Sequence, residues 1–257
     1  MKQDLTRRAL LAGTSATLIG AAVGATAEAQ GQLSADRKPT HPPPHYALLI
    51  DTDRCLRGTD CRACIDACHE SHSVPTLSDP RHEVKWVWKA PFAGVFPEQI
   101  HSLTTSGRRQ MPVLVTCNHC GNPPCTRVCP ARATWKRADG IVAMDPHRCI
   151  GCRYCMAACP YGARSFNWEN PPKLLRRQSY PQRCAGVVEK CTLCAERIDV
   201  GQAPVCVEAC MNNGRGALSF GDLSNPDSHV AQLLATRQVL RRKPELGTQP
   251  NVYYLVS

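Results

Sequence analysis

Beyond its N-terminus, this 257-residue chain carries its apolar residues in short runs separated by polar, cysteine-rich loops. Residues 46–51 (YALLID) predict a strand, and residues 113–116 predict another. Residues 140–145 (GIVAMD) read as the return strand of a hairpin, with 163–166 as a partner strand. A further strand is expected at 217–220. Asn225-Pro226 has the form of an N-cap followed by proline at the first helical position, opening a helix through about Arg237. Tyr253-Tyr254-Leu255 predicts a short extended segment at the end. Short strands and brief helices alternating with loops predict an α+β fold.

One longer apolar stretch, residues 9–27, is diluted by Gly, Ser and Thr. A membrane span needs about 20 strongly apolar residues. Here the twin arginine Arg7-Arg8 precedes the stretch, and Ala27-Glu28-Ala29 offers small-x-small cleavage chemistry. Residues 1–29 therefore read as a twin-arginine signal peptide, and 30–45, with Pro42-Pro43-Pro44, as a Pro-rich leader. The expected location is the periplasm, with the mature protein soluble or peripheral to the membrane.

Composition raises the question of what fills the core. Aromatic residues make up only 5% of the chain, whereas it has 17 cysteines. Disulfides, zinc or iron–sulfur clusters are the available staples. The formal charge of +10 counts those cysteines as neutral. Each [4Fe–4S] cluster with its four thiolates brings about −2, so four would leave the protein near neutral. The scattered basic residues then serve as counter-charge, and nucleic-acid binding is not expected.

Sixteen cysteines fall into four sets. The first is Cys55, Cys61, Cys64 and Cys68, spaced C-x5-C-x2-C-x3-C. The second is Cys117, Cys120, Cys125 and Cys129, spaced C-x2-C-x4-C-x3-C, and Pro130 follows. The third, Cys149, Cys152, Cys155 and Cys159 before Pro160, is the bacterial ferredoxin run C-x2-C-x2-C-x3-C. The fourth is Cys191, Cys194, Cys206 and Cys210, spaced C-x2-C-x11-C-x3-C, and Cys184 is left over. Three cysteines on a loop reach one cube, while the offset fourth ligates the other cluster of a pair. Disulfides would leave an odd cysteine, and zinc ribbons do not call for four triplets each with an offset fourth. Haem c attachment needs C-x-x-C-H, which does not occur.

The two-cluster rule gives the pairing. Cys117, Cys120, Cys125 and Cys159 form one expected site, and Cys149, Cys152, Cys155 and Cys129 its partner. Cys55, Cys61, Cys64 and Cys210 form a third, and Cys191, Cys194, Cys206 and Cys68 the fourth. An inner ferredoxin-like unit (about 112–168) is thus nested in an outer one (about 46–72 plus 184–222), within an electron-transfer region 46–257. The x5 gap makes Cys55 the unusual ligand of the sixteen. Trp86-Val87-Trp88, in the long interval after Cys68, is expected to cover a cluster. His69, His72 and His119 lie beside the loops without a motif that makes them ligands.

The runs Cys117-Asn118-His119-Cys120, Arg148 to Gly162 and Glu189 to Cys194, with Phe220-Gly221-Asp222-Leu223, resemble a known family. These are the four-cluster ferredoxin-like iron–sulfur subunits of membrane-bound respiratory complexes. Arg7-Arg8 and the run from Cys159 to Trp168 look most like the periplasmic DsrO-type subunit of the sulfite-reductase-associated transmembrane complex. The resemblance implies single-electron relay through four [4Fe–4S] clusters, without catalytic residues of its own, in dissimilatory sulfur metabolism. It implies an NrfD-like integral membrane quinone-interacting subunit as partner, and a periplasmic cytochrome or other redox subunit. A second reading is the electron-transfer subunit of a molybdopterin oxidoreductase, such as tetrathionate or polysulfide reductase. A third, of another class, is a zinc-stapled periplasmic scaffold.

Overall fold

The strand expected at residues 46–51 is β1 (Tyr46–Asp51). Its alternation serves two layers at once, as a strand's period of two allows. Ala47 and Leu49 face one apolar cluster with Val230 and Leu255, while Leu48 and Ile50 face the main core that contains most of the buried cysteines. The computed structural model describes residues 42–56, 60–170, 181 and 183–256. The expected signal peptide and most of the leader lie outside these.

β1 is an inner strand of a four-stranded sheet, ordered β8-β1-β10-β9. β8 (Leu218–Asp222) runs antiparallel to it and β10 (Val252–Leu255) parallel, with Ile50 opposite both Leu218 and Tyr254. β9 (Val239–Leu240) adds to the far edge of β10. Helix α9 (His229–Thr236) packs on β8 and β1, with Val230 fully buried. Its N-cap is Ser228, whose hydroxyl accepts from Ala231 N at 3.2 Å. The cap expected at Asn225 instead closes a turn, because that side chain accepts from Asp227 N at 2.9 Å.

Directly after β1, α1 (Thr52–Leu56) carries Cys55. α2 (Ala63–Ser71) carries Cys64 and Cys68, and packs against α8 (Val205–Asn212), which carries Cys206 and Cys210. In each helix the two cysteines are four residues apart and so share a face. β2 (Val87–Pro91) and β3 (Pro112–Thr116) form an antiparallel pair, with the short helices α3 (Phe92–Val95) and α4 (Ser106–Gln110) between them. α5 (Pro124–Arg127) follows the first loop of the second set.

β4 (Thr134–Lys136) and β5 (Val142–Met144) make the hairpin before the third set, and α6 (Tyr154–Ala157) lies within that set. The return strand therefore pairs with 134–136. Residues 163–166 take another partner: β6 (Ser165–Phe166) pairs with β7 (Val188–Glu189). Gly162, at φ +63°, turns the chain after Cys159, and Asn167 N donates to Val187 O at 2.9 Å. This stitches the segment after the third set to the approach of the fourth, which continues through α7 (Ala195–Ile198). No helix among the described residues is long and apolar enough to cross a membrane.

Candidate metal centres

Four cavities are lined by four cysteines each. Site I collects Cys55, Cys61, Cys64 and Cys210. Site II collects Cys68, Cys191, Cys194 and Cys206. Site III collects Cys117, Cys120, Cys125 and Cys159, and site IV Cys129, Cys149, Cys152 and Cys155. Each site thus draws three cysteines from one run and the fourth from its paired run. Cys55 reaches site I because α1 delivers it there beside Lys89 and Ala217. Cys184 is exposed and lines none of these cavities, and none of the seventeen cysteines is in a disulfide.

Loop backbone explains how three thiols converge. The residue before the second cysteine of each C-x2-C opening is left-handed: His119 at φ +40°, Gly151 at +71° and Leu193 at +58°. Such a residue curls the chain so that successive N–H groups point inward, toward an anion. Gly151 is the position where a side chain is excluded outright, since a Cβ there would lie 2.3 Å from Gly186 O. Backbone amides also reach the sulfurs. Ala133 N donates to Cys129 Sγ at 3.2 Å, Val188 N to Cys149 Sγ at 3.4 Å and Ala217 N to Cys210 Sγ at 3.2 Å.

Burial sets the protonation state of the thiols. Burial, the largest cause, pushes Cys64 and Cys120 up to about 12 and Cys68 up to about 11. Cys206 is raised well above its ordinary value by burial and by the neighbouring thiols. Clusters of buried thiols like these are neutral at pH 7 unless a cation binds them as thiolates. Burial acts on Cys117 too, but Lys190 and His119 outweigh it and hold that thiol well below its usual range. Four sulfur ligands around each closed pocket, with inward N–H donors, suit an iron–sulfur cube.

The four sites adjoin one another in the order I, II, III, IV. Sites I and II share the walls Leu114 and Leu218. Between II and III lies His119, fully buried, which interacts with both Cys117 and Cys191. Its Nδ1 accepts from Val142 N at 3.1 Å. Lys190, also buried, donates to Cys191 O at 2.8 Å and to Val142 O. Between III and IV, Arg164 donates to Cys125 Sγ at 3.1 Å and interacts with Cys155. Trp86 lines site II and fixes its indole by donating to Glu189 Oε2 at 2.6 Å. His72 lines the same site, its ring nitrogens 3.8 Å from Cys68 Sγ and 3.6 Å from Cys194 Sγ, and with Cys194 and Glu196 it forms a group whose ligand atoms lie close together. Tyr161, bonded to Thr248 and to Arg242 O, closes site III.

Residues 112–174 and 176–223 match the family model described as a 4Fe-4S dicluster domain. The chain is 37% identical to the Hdr-like menaquinol oxidoreductase iron-sulfur subunit 1 of Archaeoglobus fulgidus, over 97% of each chain. It is 33% identical to a tetrathionate reductase subunit of Salmonella typhimurium, over 99% of this chain and 90% of that one. It is 37% identical to the menaquinone reductase iron-sulfur cluster-binding subunit of Nitratidesulfovibrio vulgaris, over 82% of this chain and 88% of the other. The chain belongs to the ferredoxin-type iron–sulfur subunits of oxidoreductases. As such a subunit it carries [4Fe–4S] clusters and transfers electrons.

Arg164 and Lys190 were not singled out by the sequence as neighbours of the cysteine sites. Each follows or precedes a cysteine run by a few residues, yet no spacing rule marks a cation that turns inward. Burial with no carboxylate partner among the described residues identifies them only once the fold is known.

Proposed function

We propose that this iron–sulfur subunit relays single electrons through four [4Fe–4S] clusters, one in each of sites I to IV, with all sixteen grouped cysteines as ligands. The observation that carries the reading is the series of four adjoining cysteine-lined cavities, each completed by a cysteine from its paired run. No acid–base pair or nucleophile is needed for this work. The chain spaces the clusters, excludes water with Trp86, Leu114 and Leu218, and tunes them through N–H and guanidinium contacts to sulfur.

One end of the series exchanges electrons with a quinone-handling, NrfD-like membrane subunit, and the other with a second redox partner in sulfur metabolism. Relatives named for menaquinol oxidation, menaquinone reduction and tetrathionate reduction support this placement. The DsrO-type periplasmic subunit is the finer assignment, supported by Arg7-Arg8 and the run from Cys159 to Trp168. Export in the folded, cluster-loaded state keeps the thiols occupied before they meet an oxidising compartment. The complex purified anaerobically from membranes tests this. A menaquinol analogue should reduce the clusters, and failure of quinol to reduce them and of quinone to oxidise them would overturn it. The second reading, partner of a molybdopterin catalytic subunit, is favoured by the tetrathionate reductase relative. Molybdenum in that complex would select it.

A further inference from the structure

Arg164 is 4% exposed, and its guanidinium lies at the junction of sites III and IV. One nitrogen, Nη2, donates to Cys125 Sγ at 3.1 Å and to Thr134 Oγ1 at 2.9 Å. Nη1 points at Met144 Sδ, 3.4 Å away. Thr134 in turn donates to Ala143 O at 2.6 Å, which fixes the acceptor that orients the fork. Both Thr134 and Met144 line site IV, and Arg164 itself lines site III.

Burying a guanidinium is costly unless a negative charge lies close. Other buried arginines have such a partner or an aromatic face: Arg183 pairs with Glu189, and Arg242 lies over Tyr161. The groups that offset the charge of Arg164 are thiols, namely Cys125 and Cys117 of site III and Cys155 of site IV. An arginine also cannot shed its proton to escape the cost. The position therefore makes sense when both neighbouring sites are negatively charged, which is the state two reduced or reducible clusters supply.

We propose that Arg164 is the shared counter-charge of sites III and IV and holds up the reduction potentials of the clusters in both, that of site III more strongly. This rests on the reading of the two sites as [4Fe–4S] clusters. Reduction adds one electron to a cluster without changing its ligands. A fixed cation in a low-dielectric junction stabilises the added charge, and a hydrogen bond to a ligand sulfur acts in the same direction. The direct bond to Cys125 Sγ makes the effect larger at site III. Because the guanidinium does not titrate, the effect is the same at pH 6 and pH 8.

The test is an EPR-monitored redox titration of the full chain purified anaerobically, wild type against Arg164→Met and Arg164→Gln. Iron and acid-labile sulfide are measured first. At a fixed poise, the reduced-to-oxidised ratio of the site III cluster should fall at least tenfold in either neutral variant, which is about 59 mV for one electron. The site IV ratio should fall less, and those of sites I and II should not move. A neutral variant that keeps its iron and its site III midpoint overturns the proposal. A second readout needs no neutral variant. Pulsed EPR on protein labelled with 15N-arginine should show a nitrogen coupling on the reduced site III signal that is lost in Arg164→Lys. A coupling that is absent, or that survives in Arg164→Lys, also overturns it. Wild-type protein without clusters at the inner pair would instead sink the cluster reading itself, which the iron assay reports before any titration.

Discussion

The smallest unit of this design is a thiol whose neighbours are other thiols. Cys129 shows the consequence most clearly, because it belongs by sequence to the second run and by position to site IV. Cys129→Ser should therefore weaken the cluster held by Cys149, Cys152 and Cys155, and leave the one held by Cys117, Cys120 and Cys125. EPR of the reduced variant distinguishes them: loss of the site III signal instead would refute the crossed arrangement. The grouping of these cysteines into common cavities was legible in the sequence because ferredoxin-run spacings are local. Arg164, Lys190 and the bridging role of His119 were not legible. Their importance comes from long-range packing, such as the contact of His119 with Cys191, which no local spacing encodes.

At the scale of elements, the loops do what side chains do in an ordinary core. α2 and α8 pack against each other, and Cys64, Cys68, Cys206 and Cys210 lie with Ile65 and Val207 in one buried cluster. Gly151 is the tightest point in the loops. Ala at that φ costs about 1–2 kcal/mol from the left-handed conformation alone. The Cβ must in addition displace the Gly186 carbonyl beside β7. Gly151→Ala should lower the midpoint of thermal unfolding and the occupancy of site IV before that of the other sites. Equal loss at all four sites would contradict this. Strands were the readable elements, since period-two patterns such as 46–51 are local. Which strand pairs with which was not: the parallel partner of β1 comes from the other end of the chain, and β6 finds β7 rather than β5. The start of α9 was misplaced because Asn225 can close a turn as readily as it can cap a helix.

Across the whole molecule, the cysteine runs fold into adjoining cysteine-lined sites, the arrangement that the proposed relay requires. The positive formal charge fits the same picture, with cations such as Arg164 and Lys190 turned inward onto the cysteine sites. The proposed export route has its own check. Replacing both arginines of the signal (Arg7→Lys with Arg8→Lys) should leave cluster-loaded protein on the cytoplasmic side, seen by fractionation; undiminished export would reject a twin-arginine signal. The central claim is that four cubes occupy four cysteine sites. Iron, sulfide and integrated EPR spins of the anaerobically purified, fully reduced chain address it directly. About 16 irons, as much acid-labile sulfide and about four interacting spins per chain are expected. Zinc with no visible absorbance, or spins for only two clusters at full iron occupancy, would contradict it.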